Sequence, residues 1–193
     1  MKTNLILLSF LLPVINCFAS KTPNIILILA DDMGPGEPSH MGGLVPTPAL
    51  DRMAKEGMRF TDAHTTSSVC TPTRYGILTG RYNWRSRLKR GVLVKASSQA
   101  LMDPNRVNLP NFLQQNGYHT GMVGKWHLGA DWELLEKPPK ASDRKDDSWR
   151  VDYSNPFRNG PVDVGFDEAF FILSSLDMAP YLSLRDNKSL SIP

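Results

Sequence analysis

The side chain most able to take part in a chemical reaction is that of Cys70, which lies in the segment SSVCTPTR at positions 67–74. The chain has two cysteines, and the other, Cys17, lies in a predicted leader segment. A lone cysteine in an exported chain is an inert buried thiol, an intermolecular bridge or a reactive group. Thr71 and Pro72 predict a helix start, where backbone N–H groups and the helix dipole favour a thiolate or a bound oxyanion. The polar neighbours make an inert apolar burial less natural, so the residues favour the reactive interpretation.

Two adjacent carboxylates, Asp31 and Asp32, directly follow the apolar run NIILILA at residues 24–30. That β-branched run predicts a central parallel strand, and ligands of open α/β sheets gather at the carboxyl ends of strands. Neighbouring carboxylates repel unless a cation or strong donors compensate, and hard oxygen ligands suit Ca²⁺ or Mg²⁺. A helix N-cap with a solvated neighbour explains the pair equally well, so the residues alone leave both interpretations open.

Three basic or titratable side chains complete the candidate site. Lys125 and His127 alternate in the segment GKWHLG after a predicted strand, which places both on one face and Trp126 on the other. Together they could bind an anion and relay a proton, although ordinary polar residues of an edge strand remain the alternative. Arg74 lies close to Cys70 along the chain and could pair with negative charge that forms there. Further basic residues are either a solvated surface or a positive rim for an anionic substrate, namely Arg81, Arg85, Arg87, Lys89 and Arg90.

The elements that must position these residues follow the order of an α/β fold. Thr47 and Pro48 predict the start of a helix that Gly57 ends, and residues 58–63 predict a second strand. Strand, helix and strand in succession indicate a βαβ unit. A second unit combines a helix over residues 109–115 with a strand over 118–123. Residues 136–159 predict a long exposed loop, and residues 164–173 return to the core.

Composition and the N-terminal segment indicate in which compartment the protein lies. The chain has 193 residues and a formal charge of +3, which is too small to indicate a nucleic-acid partner. Residues 1–19 combine a basic start, a short apolar stretch and small residues near Ala19, which predicts a cleavable signal peptide and no stable membrane insertion. Acylation of Cys17 as a lipoprotein is less favoured because Asn16 is bulky. We therefore expect residues 20–193 to be secreted or periplasmic and to form one domain.

Five segments in this order resemble the N-terminal portion of a type I sulfatase of the arylsulfatase kind. They are NIILILADD, TPALDRMAKEG, CTPTRYGILTGRY, GKWHLG and GFD. Each motif is weak alone, but the ordered set is specific and covers most of the chain from Pro23 onward. The resemblance implies an alkaline-phosphatase-like α/β core, with a mixed, mostly parallel sheet flanked by helices, incomplete in this chain.

The resemblance also implies a role for each candidate residue. Asp31 and Asp32 would bind Ca²⁺ together with Cys70 after its oxidation to formylglycine by a formylglycine-generating enzyme. Arg74 would be the charge partner of that group, while Lys125 and His127 would contact the substrate sulfate. Ser175, or its neighbour Ser174, would match a serine that contacts sulfate in some members. The implied reaction is hydrolysis of a sulfated carbohydrate or aryl ester, in which one hydroxyl of the hydrated aldehyde attacks sulfur and the other later expels sulfate.

Some features depart from the family pattern. Thr73 stands where serine is more usual, and the second metal-binding pair, a further lysine and histidine, and the C-terminal subdomain have no counterpart. Asp186 and Asn187 are a weak substitute, because they lie in a charged stretch rather than after a buried strand. We therefore expect the front portion of a longer enzyme, with little hydrolysis by this chain alone. The alternatives are a phosphonate or phosphate-ester hydrolase of the same superfamily and a non-catalytic, truncated secreted protein.

Overall fold

The computed structural model describes residues 22–136 and 147–192, and the chain divides into two compact units, residues 1–48 and 49–193. The predicted signal peptide, with Cys17, lies outside the described residues, as do residues 137–146 of the predicted loop. No helix within the described ranges has the length and apolar character needed to cross a bilayer.

A four-stranded mixed sheet forms the centre of the second unit. Its strands are β1 (Gly121–Lys125), β2 (Glu168–Ile172), β3 (Ser183–Arg185) and β4 (Lys188–Ser189), and they lie in that order across the sheet. β1 and β2 are parallel, with Lys125 opposite Ile172, whereas β2–β3 and β3–β4 are antiparallel. The predicted α/β class with a mixed sheet is therefore confirmed, and β1 begins three residues later than the apolar pattern indicates.

Three α-helices accompany the sheet, α1 (Pro48–Glu56), α2 (Cys70–Thr79) and α3 (Leu109–Gln115). α1 ends as predicted, where the Gly57 N–H donates to the Met53 carbonyl at 2.9 Å. α3 has the predicted bounds because the Asn108 side chain caps it, accepting from the Asn111 N–H at 3.1 Å. Short 3₁₀ segments cover Ser39–Met41, Asn83–Arg85, Ser148–Arg150 and Val162–Val164.

The hydrophobic core of the second unit surrounds the ends of β1 and β2. Trp126 and Leu128 follow β1 into this core, and Phe171 enters it from β2. Phe157 packs edge-on against Phe171, with ring centroids 6.2 Å apart, a geometry that suits the charge distribution of two aromatic rings. The core therefore fixes the point where β1 ends and the candidate residues begin.

Two predicted strands are absent. Residues 24–30 and 58–63 have no strand structure, and the apolar run is exposed, Ile26 by 85% and Ile28 by 79%. A strand exists only when its backbone N–H and C=O groups pair with a neighbour, and no described strand pairs with either segment. Apolar, β-branched composition predicts the preference for a strand but does not supply the partner.

The predicted loop over residues 136–159 contains no α-helix or strand in its described residues, 136 and 147–159, but the prediction that it is exposed is wrong for residues 147–159. This part contains a 3₁₀ turn and buries Val151, Tyr153 and Phe157. Trp132 packs against both aromatic rings, at 5.3 Å from Tyr153 and 4.5 Å from Phe157 between centroids. The segment has few apolar residues, but three of them are buried, which a count of polar residues does not reveal.

Candidate active site

Cys70 is the first residue of α2, so the prediction that it lies at a helix start is confirmed, although Thr71, which the pattern predicts as the N-cap, lies inside the helix. The N-cap is Val69, whose extended backbone carries no side-chain acceptor, and Thr71 and Pro72 are buried inside the first turn. Without a capping side chain, first-turn N–H groups remain directed beyond the helix, where they and the dipole favour an anion. Cys70 is a half-buried free thiol at this position.

The loop before Cys70 is bound to α2 by side-chain hydrogen bonds. The Thr73 hydroxyl donates to the Ser67 carbonyl at 2.7 Å, and the Thr66 hydroxyl donates to the Pro72 carbonyl at 3.1 Å. Gly76 permits this approach, since a Cβ atom there would lie 2.2 Å from Thr66 Oγ1. The loop is therefore packed closely against α2 directly before Cys70.

Arg74 and Lys125 connect α2 to the end of β1. Arg74 Nη1 donates to the Lys125 carbonyl at 2.5 Å, and Lys125 Nζ donates to Ser175 Oγ at 3.1 Å. Of the two neighbouring serines, Ser175 contacts the lysine, whereas Ser174 is buried. Residues separated by about fifty positions in sequence thus meet at one edge of the sheet, beyond the carboxyl ends of β1 and β2.

His127 lies just past β1 in a left-handed backbone conformation with φ of 54°, so the strand does not extend to it as the alternation argument assumed. Its N–H donates to the Leu173 carbonyl at 2.9 Å, and its side chain is 1% exposed. Nε2 lies 2.8 Å from the Leu93 carbonyl, which can only accept, so Nε2 carries the proton. Leu93 also donates its N–H to Thr71 Oγ1 at 3.3 Å and so links His127 to the start of α2.

The electrostatic environment keeps His127 neutral. Burial is the main cause that lowers its pKa, the hydrogen bond to Leu93 opposes that effect, and the charges of Lys125 and Arg74 lower it further. Asp177 acts in the opposite direction. Nδ1 therefore presents a lone pair, and this buried atom has no hydrogen-bond partner among the described residues. A buried, unpartnered acceptor of this kind can take a proton from a bound group.

Asp177 is a member of this cluster that the sequence interpretation missed. Its pKa is lowered, first by the interaction with the Ser175 side chain and also by the positive charge of Lys125. The available signal was the carboxylate two residues after a serine, just beyond the end of β2, where ligand-facing groups collect.

Asp31 and Asp32 lie in the first unit, and both are exposed. They supply hard carboxylate oxygens of the kind Ca²⁺ prefers, although a full shell needs about six to eight oxygens. Within residues 22–136 and 147–192, no group of three or more His, Cys, Asp or Glu side chains could hold an ion. Two carboxylates supply only part of the oxygen ligands that such a shell needs.

Asp186 and Asn187 have a structural role instead. They form the turn between β3 and β4, and Asp186 has a left-handed φ of 53°. Asp186 Oδ1 accepts from the Ala169 N–H at 2.9 Å, and Asn187 Nδ2 donates to the Asp163 carboxylate at 3.0 Å. These contacts stabilise the hairpin. The basic residues after α2 are mostly exposed, including Arg85, Arg87, Lys89 and Arg90.

Known proteins resemble the chain in sequence and in fold. It is 37% identical over 162 residues to N-acetylgalactosamine-6-O-sulfatase of Bacteroides thetaiotaomicron, across 83% of this chain and 28% of that relative. It is 44% identical over 126 residues to human Arylsulfatase G, across 62% of this chain and 24% of that relative. A solved structure from work on glycosaminoglycan metabolism by Bacteroides thetaiotaomicron superposes with a TM-score of 0.75 at 34% identity, across 90% of this chain and 33% of that one.

The chain thus spans 24–33% of the length of these proteins. The model of the Sulfatase family matches residues 23–169, which is most of the chain and includes Asp31, Asp32, Cys70, Arg74, Lys125 and His127. The order of the five sequence motifs predicts the same family, and that prediction is confirmed. The chain belongs to the sulfatase family.

Proposed function

We propose that the protein that contains this chain is a sulfuric ester hydrolase that uses a formylglycine made from Cys70 and a calcium ion. The observation that carries the proposal is the cluster at the edge of the second unit. The start of α2 is connected to Lys125 through Arg74 and to His127 through Leu93. The membership of the chain in the sulfatase family supports the same chemistry.

An anionic ester suits the charges of this cluster. Arg74 and Lys125 are cationic, and the first turn of α2 adds the positive end of its dipole. Groups held in place before the substrate arrives stabilise charge that develops on sulfate oxygens, without a further cost of reorganisation. Arg74 is held by the backbone carbonyl of Lys125, so its guanidinium group lies at the end of β1.

Two groups would complete the chemistry. A formylglycine at position 70 supplies a hydrated aldehyde, which provides one hydroxyl to attack sulfur and a second to release sulfate. Calcium, which Asp31 and Asp32 would hold, supplies positive charge that stabilises developing negative charge. The position of Cys70 at the start of α2, half-buried and beside the bound loop 66–69, suits a nucleophile that must be both accessible and fixed in direction.

His127 is the proton acceptor in this proposal. Its neutral imidazole, its buried Nδ1 lone pair and the hydrogen bond that fixes Nε2 suit the removal of a proton from a hydroxyl at position 70. Since an imidazole that is already protonated cannot accept, the lowered pKa of His127 keeps this group competent at neutral pH.

The substrate we propose is a sulfated carbohydrate, with aryl sulfates as simple test substrates. The named activity of the relative from Bacteroides thetaiotaomicron concerns a 6-O-sulfated N-acetylgalactosamine. Both curated relatives are named as sulfatases, which favours a sulfate ester over a phosphate or phosphonate ester. Export to the periplasm or the medium, which the predicted signal peptide implies, would give access to such glycans.

The decisive experiment is mass spectrometry of the tryptic peptide 60–74 from protein made in the presence of a formylglycine-generating enzyme. We expect the aldehyde or its hydrate at position 70, and an unmodified thiol from a host that lacks that enzyme. Turnover of a matched pair of aryl sulfate and aryl phosphate then tests the reaction. Preference for the phosphate ester, or a thiol that persists in the native host, would contradict the proposal.

A further inference from the structure

The threonine next to Cys70 is connected to His127 through the backbone of Leu93. The Leu93 N–H donates to Thr71 Oγ1 at 3.3 Å, and the Leu93 carbonyl lies 2.8 Å from His127 Nε2. A carbonyl oxygen only accepts, so Nε2 is the donor in the second bond. One backbone residue therefore makes a hydrogen bond to a side chain of α2 and another to the imidazole.

All three residues of this connection are buried. Thr71 is 0% exposed and His127 is 1% exposed, and Leu93 belongs to the core of the second unit. Solvent therefore has little access to either hydrogen bond, and water cannot readily replace a partner that is lost. A buried N–H group without an acceptor is costly, so removal of the threonine hydroxyl would favour movement of the Leu93 backbone.

The segment that follows Leu93 lies along the segment that follows β1. The Ala130 N–H donates to the Ser98 carbonyl at 3.1 Å, and the Leu101 N–H donates to the Leu128 carbonyl at 2.8 Å. These bonds hold residues 98–101, which begin five positions beyond Leu93. The hydroxyl of Thr71 accepts from the Leu93 N–H itself, so it anchors the end of the segment that reaches His127.

We propose that Thr71 is a positioning residue, whose hydroxyl oxygen fixes the Leu93 backbone so that the Leu93 carbonyl keeps the proton of His127 on Nε2. Nδ1 then stays an acceptor, and this buried atom has no hydrogen-bond partner among the described residues. The action of Nδ1 on a hydroxyl at position 70 rests on the proposed function. Because Thr71 adjoins Cys70, the first turn of α2 positions both the nucleophile and its proton acceptor before the reaction.

The first test measures how fast the Nε2 proton of His127 exchanges with solvent, by NMR of the protein with ¹⁵N-labelled histidine. His127→Gln identifies the signal by removing it. Thr71→Val keeps the shape of the side chain but not its hydroxyl. We expect it to speed the exchange about 5- to 150-fold, the range that corresponds to one buried N–H group left without its acceptor. Thr71→Ser keeps the acceptor, so its exchange rate should stay within about twofold of that of the unmutated protein.

Thr73→Val is the matched control for a general loss of stability. Thr73 is also buried near the start of α2, and its hydroxyl donates to the Ser67 carbonyl at 2.7 Å. The same substitution there removes a hydrogen bond that does not involve Leu93. We expect Thr73→Val to lower the thermal midpoint and to leave the exchange at His127 unchanged. If Thr71→Val does not fold, Thr71→Ala replaces it, since alanine has the highest helix propensity.

A second readout is the turnover of an aryl sulfate by the protein that contains this chain. Turnover is counted per formylglycine, which mass spectrometry measures, because position 71 adjoins the modified residue. We expect Thr71→Val to lower kcat about tenfold, a part of the 10²- to 10⁴-fold that a positioned proton acceptor contributes. KM should stay within about twofold, because Arg74 and Lys125, which would bind the sulfate, are unchanged.

The outcomes distinguish this proposal from the proposed function. An unchanged exchange rate in Thr71→Val, or an equal increase in Thr73→Val, would overturn the positioning role. A Thr71→Ser variant that behaves like Thr71→Val would overturn it as well, and so would a change in KM with kcat unchanged, because Thr71 would then act on binding. The expected exchange rates without turnover of any sulfate ester would leave the positioning of His127 standing and reject the proposed function.

Discussion

The residues that the sequence assigned to one site lie in two regions that are stabilised very differently. In the second unit, Cys70, Arg74, Lys125 and His127 lie on or beside elements that pack into a core, and hydrogen bonds connect those elements. In the first unit, Asp31 and Asp32 follow an apolar run that is exposed and forms no strand. Both regions carry strong local patterns, so pattern strength alone does not decide which segments become ordered secondary structure.

The difference shows what a segment needs in order to form a strand. β1 is a short segment with two glycines, yet it is a strand because β2 pairs with it along its whole length. Residues 24–30 have a far higher content of β-branched and apolar side chains, but no described strand pairs with them. Backbone pairing is therefore the deciding contribution, and side-chain preference is secondary.

The largest expected effect tests the packed region. Cys70→Ala should abolish turnover of an aryl sulfate by the protein that contains this chain, with a loss in kcat of about 10⁴-fold or more, because a covalent nucleophile is removed. Its thermal midpoint should remain close to that of the unmutated protein, since Cys70 is only half-buried. Ser68→Ala, an exposed neighbour, is the control and should retain activity. Turnover that survives in Cys70→Ala would remove this residue from the mechanism.

The next effect tests the exposed region. Asp32→Asn should raise the Kd for Ca²⁺ by about 10-fold or more, because one charged oxygen ligand of a hard cation is replaced by a neutral one. The thermal midpoint of the variant should also need more added Ca²⁺ to reach its plateau. Calorimetric titration with Asp62→Asn as the control, an exposed carboxylate that pairs with His64, provides the measurement. Identical calcium titrations for Asp32→Asn and the unmutated protein would leave Asp31 and Asp32 as a structural turn.

A smaller effect concerns the loop that precedes Cys70. Gly76→Ala should lower the free energy of unfolding by about 1–3 kcal/mol, because the new methyl group would collide with the Thr66 side chain. Gly36→Ala is the matched control in the first unit, since a Cβ atom there meets nothing within 4 Å. Denaturant unfolding compares the two variants. Equal stability in both would indicate that the loop gives way and does not hold Cys70 in a fixed direction.

The smallest effect is a pH dependence of stability. The pKa of His127 is lowered in the folded state from its ordinary value of 6.5, so the folded state binds fewer protons than the unfolded chain below that value. The stabilising contribution is complete above about pH 6.5 and declines as the pH falls toward the folded pKa. Urea unfolding between about pH 7.5 and pH 5 should show this decline, and His127→Gln should reduce its slope, whereas His64→Gln should not. A slope that is unchanged in His127→Gln would show that another group carries the dependence.

Local features of this fold could be predicted from the sequence because their hydrogen bonds join residues close in the chain. The start of α2 at Cys70, the bounds of α3 with its Asn108 cap and the end of α1 at Gly57 depend on contacts within about four residues. The ordered motifs were sufficient to assign the chain to its family, because such an assignment uses only the identity and spacing of residues.

The arrangement of the site was decided by tertiary structure, because its contacts join residues far apart in the chain. Ser175 rather than Ser174 contacts Lys125 because β1 and β2 are parallel and in a particular register, which neither segment encodes alone. The neutral state of His127 depends on burial and on the Leu93 carbonyl, thirty-four positions away. Asp177 belongs to the cluster only because the segments that follow β1 and β2 meet beyond the carboxyl ends of these strands. Residue types thus determined which chemistry is available, and long-range pairing determined which atoms meet.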